Sequence, residues 1–227
     1  MTRSRPLLLG HRGARSTASI PENTLASFDL CLQHGCDGFE FDVRQTADGV
    51  PVVCHDETFR GLRLSRASAQ DLAPCQTQGF LPTLEQVLER YANRCFLDIE
   101  LKEPGLESQI LDLLQCYPPA RGCVVTSFLP DVLFRLRDLD STVELGYLFD
   151  KDSSENSTLC HSLPVQWVLP IKRLLDDTLA SGLQGAGKRI GVWTVNDTAD
   201  MLRLVARGAE ILISDDSARL VNTFPVI

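Results

Sequence analysis

Basic residues are in short supply in this chain: 22 lysines and arginines stand against 30 aspartates and glutamates, which leaves a net charge of −8. There is no basic run either, and that excludes a nucleic-acid surface, because binding a polyanion draws on clustered Lys and Arg. Any phosphate handled here must be gripped locally, inside a pocket. Long apolar runs are missing as well. The opening MTRSRPLLLG has only three leucines before its glycine, too few for a secretory leader, and nothing approaches the ~18 residues of a membrane span. These absences point to a cytoplasmic protein without stable membrane insertion. Paired cysteine motifs are lacking too: the eight cysteines (31, 36, 54, 75, 95, 116, 123 and 160) are scattered, with no Cys-x-x-Cys. Most fall inside apolar patterns, where a free thiol behaves as a small hydrophobe, so neither a disulfide framework nor zinc is expected.

What is present is an ordinary globular composition, 44% hydrophobic and 23% charged, in 227 residues. Barrels of about 200 to 250 residues commonly form one unit, so residues 1–227 read as a single catalytic domain. Short apolar runs alternate with segments of helical period, the pattern of βα units around a parallel sheet. Candidate strands are Leu7 to His11, Phe39 to Val43, Pro51 to His55, Phe96 to Leu101, Cys123 to Phe128, Glu144 to Phe149, Trp167 to Ile171, Arg189 to Val195 and Ile211 to Asp215. These nine are one more than a (β/α)8 TIM barrel needs. Seven residues separate the second from the third, too few for a crossover helix, and Asp48-Gly49 is a hairpin turn signal. The third run is therefore an antiparallel return strand, a β-hairpin at the rim after strand 2. A two-residue Asp48-Gly49 turn would pair Ala47 with Val50 and set Asp42 opposite His55.

Helix ends are legible. The helix of ENTLASFDLCLQHG stops at Gly35, Thr83 three residues before Gln86 predicts a capping box, and NDTADMLRLVARG opens on Asn/Asp and closes at Gly208. The polar run DKDSSENST, residues 150–158, reads as a solvated loop.

In GFEFDVR the faces alternate, Phe39 and Phe41 one way, Glu40 and Asp42 the other. Barrel strands turn their outer faces to helices, so the phenylalanines belong outside and the carboxylates inside. FLDIELK repeats the scheme, with Leu97, Ile99 and Leu101 alternating with Asp98, Glu100 and Lys102. Acids aimed at one cavity repel each other, and burial raises their pKa, unless a cation neutralises them. Oxygen-only ligands favour a hard ion, Mg²⁺ or Ca²⁺, over zinc. Either pair alone reads equally well as salt bridges to Lys102 and nearby arginines; two pairs beside two strand-end histidines favour a metal. His11 and His55 both reach the rim, where active sites of such barrels lie, and together can supply a general base and a general acid. Arg12 can grip a phosphate in bidentate fashion, and Gly13 lets backbone approach closely. Pro21-Glu22-Asn23-Thr24 starts a helix whose N-terminus can face an anion. Trp193, near a strand end, suits the organic part of a ligand or the core. His34, at a helix end, and His161, in a loop, receive no role.

Taken in order, HRGA (11–14), PENT (21–24), EFDV (40–43), DGVPVVCHD (48–56), PTLEQVLE (82–89), IELK (99–102), VTSF (125–128), WTVN (193–196) and ILISD (211–215) resemble the glycerophosphodiester phosphodiesterase family over nearly the whole chain. The resemblance implies a TIM barrel that hydrolyses glycerophosphodiesters to sn-glycerol 3-phosphate and an alcohol with one divalent cation. It implies catalytic His11 and His55, metal ligands Glu40, Asp42 and Glu100, and substrate contacts from Arg12, Asn23, Lys102 and Trp193. After His55-Asp56 this chain reads ETFRGLRLS, where the family usually continues toward a leucine and an Arg-Thr pair. The segment to IELK is also short, which trims the insertion beside the pocket. A small-molecule phosphodiester is the expected partner. Rival readings are a phosphodiesterase for lysophospholipids or other lipid diesters, and a non-catalytic barrel that binds glycerophosphodiesters. Head group, Mg²⁺ against Ca²⁺, and oligomeric state stay open at this level.

Overall fold

The computed structural model describes residues 5–77 and 80–225; residues 1–4 of the opening stretch lie outside them. Chain order is β1 (Leu7–His11), α1 (Leu25–Gln33), β2 (Gly38–Gln45), β3 (Pro51–Val53), β4 (Thr58–Phe59), β5 (Leu62–Arg63), α2 (Ala69–Thr77), α3 (Leu84–Tyr91), β6 (Phe96–Leu101), α4 (Glu107–Cys116), β7 (Cys123–Ser127), α5 (Pro130–Leu139), β8 (Leu145–Phe149), α6 (Ser154–Ser162), β9 (Trp167–Pro170), α7 (Asp177–Gly185), β10 (Arg189–Val192), α8 (Thr198–Ala206), β11 (Ile211–Ser214) and α9 (Ser217–Thr223). The sheet runs β1-β11-β10-β9-β8-β7-β6-β2 in parallel and closes because β1 also pairs with β2. This is the expected eight-stranded (β/α)8 barrel, with β3 antiparallel on β2 at the rim. No helix among the described residues is long and apolar enough to cross a membrane.

Period-two alternation builds two apolar layers. Outward side chains meet the helices: Phe28 of α1 stacks on Phe39 at 4.1 Å, with Phe41 and the edge of Tyr91 beside them. Each such ring buried contributes about 1.5–3 kcal/mol relative to exposure. Inward, Leu7, Leu9, Phe96, Val124, Trp167, Leu169 and Ile211 are buried together inside the barrel. This apolar plug leaves the C-terminal half of the interior to polar groups. All eight cysteines are free thiols, five of them buried. Thr83 and Gln86 form the predicted capping box, and Asp197 caps α8.

Two expectations are corrected. The hairpin turn holds three residues, not two: Thr46 N donates to Val50 O at 3.0 Å, and Gly49 takes φ +79°. Three-residue loops with a left-handed glycine are a standard hairpin solution, and Asp48 is drawn into this one by the Thr46 hydroxyl (2.6 Å) and the Ala69 amide (2.9 Å). The register therefore shifts by one: Val43 faces Val53, and Cys54, not His55, donates to Asp42 O. His55 lies beyond the end of β3. The second correction is α6, which occupies most of the supposed loop 150–158 and contains His161. Ser153 caps it by accepting from Asn156 N at 3.0 Å, and its nearly all-polar surface conceals the helical period.

Candidate active site

Register brings the acids together. On adjacent strands His11 is level with Glu40, Glu40 with Asp98, and Asp42 with Glu100. Oxygens of Glu40, Asp42 and Glu100 lie within 4.8 Å of one another, and all three residues are buried. Lys102 Nζ sits 2.6 Å from Glu100 Oε1 and 3.3 Å from Asp42 Oδ1, while Arg12 Nε is 3.1 Å from Asp42 Oδ2. Salt bridges to Lys102 and Arg12 are thus real but do not exhaust the acids. Three converging carboxylates (Glu40, Asp42, Glu100) face Lys102 and an Arg12 that is shared with Glu22, which leaves net negative charge for a cation to offset. Glu40 Oε1 is buried with no hydrogen-bond partner, so the residues fit a hard cation.

The charge excess appears in the acidities. Burial, then the neighbouring Asp42, Glu100 and Asp98, pushes Glu40 well above the usual carboxylate range. Burial and then Asp42 push Glu100 up to about 7 against the pull of Lys102. Burial alone would raise Asp42, but Arg12, Lys102 and the Asn23 amide together hold it below the usual range.

The first loop is locked onto α1. Ser27 Oγ donates to Arg12 O at 3.0 Å and accepts from Ala14 N at 2.9 Å. A Cβ on Gly13, at φ +85°, would sit 2.4 Å from that same Oγ, so only glycine fits. Arg12 and Asn23 both take the left-handed region, at φ 52° and 56°, which costs energy in non-glycine residues and concentrates at functional sites. The turn at Arg12 aims its amide at Glu40 Oε2 (3.0 Å) and its Nη1 at Glu22 (2.6 Å). Asn23, expected at the substrate, has its Nδ2 on Asp42 Oδ2 at 2.8 Å.

The two histidines are oriented by carboxylates: His11 Nδ1 lies 2.7 Å from Asp215 Oδ1, and His55 Nδ1 lies 2.7 Å from Asp56 Oδ1. Burial lowers the His11 pKa more than Asp215 raises it, so its imidazole is neutral at neutral pH. Asp215 would be raised by burial, yet His11, Asn196 and Arg15 hold it far below the usual range.

A cavity of about 170 Å³ is lined by His11, Arg12, Glu40, His55, Glu100, Lys102 and Trp193, with Asp98, Phe128 and Leu148 among the other walls. Asp42 lies fully buried beside it, beneath Arg12 and Lys102. Trp193 donates to Leu169 O at 2.8 Å and meets Phe128 edge-on at 5.4 Å. A second cavity, about 280 Å³, shares His55 and opens between Glu22, Asn23, Asp56, Phe59 and Arg60. A cavity of about 450 Å³ beside α6 and α7 holds none of the candidate residues. Sequence reasoning counted Asp98 among the inward acids without naming it a ligand, and gave no role to Asp215 or Phe128. Alternation signals the first two, since Asp215 continues the inward Ile211 and Ile213 and Asp98 precedes Glu100 by two.

Residues 11–219 match the model of the glycerophosphoryl diester phosphodiesterase family. A glycerophosphodiester phosphodiesterase of Caldanaerobacter subterraneus subsp. tengcongensis is 27% identical over 236 aligned positions, covering 95% of this chain and 96% of that protein. The crystal structure of a glycerophosphodiester phosphodiesterase from Thermotoga maritima is similar with a TM-score of 0.82 at 26% identity, over 97% of this chain and 99% of that one. An Oleispira antarctica phosphodiesterase in complex with its product sn-glycerol-3-phosphate gives 0.81 at 26% identity, over 96% of both chains. With the barrel, the acid cluster and these likenesses in place, the chain belongs to the glycerophosphoryl diester phosphodiesterase family and is a phosphodiester hydrolase.

Proposed function

We propose that this protein hydrolyses glycerophosphodiesters to sn-glycerol 3-phosphate and an alcohol, with His11 as general base and His55 as general acid. The observation that carries the reading is the convergence of both histidines and the acid cluster on one cavity. Glu40, Asp42 and Glu100 would hold one divalent cation, Mg²⁺ or Ca²⁺ because every donor is oxygen. When bound, that ion supplies positive charge to the phosphate oxygens as negative charge grows in the transition state. Arg12 and Lys102 cover part of the acid charge and face the same space.

An ionised Asp215 can only accept, so His11 carries its proton on Nδ1 and leaves Nε2 with the lone pair. That nitrogen removes the proton from the nucleophile, whether water or the substrate's own glycerol hydroxyl. Asp56 orients His55 in the same way, and protonated His55 gives its Nε2 proton to the departing alcohol. The outer cavity beyond His55 is the natural exit for that alcohol. Asn23 keeps Asp42 in place and Trp193 covers the organic part of the substrate.

The test is release of sn-glycerol 3-phosphate from glycerophosphocholine and glycerophosphoethanolamine with Mg²⁺, with Ca²⁺ and with EDTA. Metal-dependent release is expected. Folded protein that releases none from these but cleaves a lysophospholipid would move the assignment to lipid diesters.

A further inference from the structure

One carboxylate of the inner cavity takes no part in the chemistry above. Asp98 is fully buried on β6, one inward step below Glu100. Its Oδ1 accepts the Thr126 hydroxyl proton at 2.7 Å, which fixes the carboxylate plane, while Oδ2 is buried without a hydrogen-bond partner. A buried oxygen left without a donor is costly and calls for an explanation. Among the described residues the acids whose oxygens converge are Glu40, Asp42 and Glu100, and Asp98 stands outside that group.

The surroundings narrow the choice of donor. Asp98 borders the inner cavity, where Leu148, Ile213, Phe128 and Trp193 supply the apolar part of a wall that is otherwise charged and polar. A polyol carbon chain presents the complement, C–H surface with hydroxyl donors. On the reading above, the variable alcohol takes the outer cavity that shares His55, which leaves the inner cavity to the glycerol end. We infer that Asp98 is the residue that selects the glycerol end of the substrate, its Oδ2 accepting a hydrogen bond from a glycerol hydroxyl. This rests on the phosphodiesterase reading above and adds its specificity-determining residue. A site built around a substrate hydroxyl discriminates strongly against compounds that lack it, because its own polar group is then left unpaired.

The experiment compares glycerophosphocholine with bis(p-nitrophenyl) phosphate, a diester without glycerol, in wild type, Asp98→Ala and the isosteric Asp98→Asn. Inhibition by sn-glycerol 3-phosphate and by inorganic phosphate is measured alongside. Asp98→Ala is expected to lower the ratio of kcat/KM values, glycerol substrate over aryl substrate, by about tenfold or more, chiefly through KM. It should also weaken inhibition by glycerol 3-phosphate more than inhibition by phosphate, and Asp98→Asn should fall between. An unchanged ratio in both folded variants overturns the inference. So does an equal loss on both substrates accompanied by weaker Mg²⁺ binding in calorimetry, which would make Asp98 a cation ligand. Wild-type protein that cleaves the aryl diester but no glycerophosphodiester overturns the parent reading instead, and with it the reason for a glycerol site.

Discussion

His11 and Asp215 meet through Nδ1 and Oδ1 at 2.7 Å, joining the ends of the first and last barrel strands. Asp215 is itself held by Asn196 Nδ2 at 2.7 Å and Arg15 Nη1 at 2.9 Å. The pair fixes the tautomer of the imidazole while the barrel closes around it. Asp215→Asn should lower kcat by about tenfold or more, through loss of the productive tautomer. Because Asp215 raises the His11 pKa against burial and Arg12, its removal lets that pKa fall further. The acid limb of the kcat/KM profile should move to lower pH. A profile that keeps its acid limb in place would detach His11 from the base role.

His11→Ala and His55→Ala should each reduce turnover by ~10² or more if each moves a proton in the transition state. Glycerol 3-phosphate release at fixed metal concentration reads this directly. A variant that keeps near-normal turnover removes its histidine from the scheme.

The metal-free protein should lose stability as pH rises. Asp98 and Glu100 titrate near 7 in the folded chain, far above their ordinary values, with burial the main cause. Between about pH 4.5 and 7 the folded state therefore binds more protons than the unfolded one, and stability falls with pH across that window. Melting in EDTA should drop by roughly 5 °C or more from pH 5 to pH 8. Saturating Mg²⁺ or Ca²⁺ should remove the part of that slope that comes from Glu100, and binding should release protons, as calorimetry in buffers of different ionisation enthalpy can count. A flat EDTA curve would contradict the charge excess.

Asn23 tests backbone and side chain separately. Asn23→Gly keeps the left-handed turn and loses the bond to Asp42, whereas Asn23→Ala loses both. Denaturant unfolding should place alanine about 1 kcal/mol or more below glycine. Both should weaken metal binding, since Asp42 loses the amide that steadies it. Equal stabilities would mean the turn at Asn23 carries no strain.

How much of this was legible in the residues depends on how locally each feature is encoded. The inward aim of Glu40, Asp42, Asp98 and Glu100 follows from a two-residue period, and the barrel follows from repeated βα units. The register of the rim hairpin does not, because Asp48-Gly49 suits two-residue and three-residue loops alike, and the choice was made by bonds to Thr46 and to distant Ala69. Helix α6 was hidden since a polar helix held by its Ser153 cap has no apolar stripe to read. The partnership of His11 with Asp215 spans 204 residues, and only closure of the barrel brings the two together. Asn23 is marked by its motif, but its bond to Asp42 depends on how the loop before α1 folds against β2.

The one-residue shift in the rim hairpin sets the two histidines on unequal supports. His11 belongs to the barrel wall, the last residue of β1 and paired in register with Glu40 of β2. His55 lies past the last rung of β3, where Arg44 Nε grips its carbonyl at 2.8 Å and Glu103 braces the same guanidinium at 3.1 Å. On the proposed roles, the general base is built into the frame and the general acid rides on the rim segment. Exchange of that segment, from Asp56 through β5, for a relative's should therefore retune tolerance for the departing alcohol more than binding at His11.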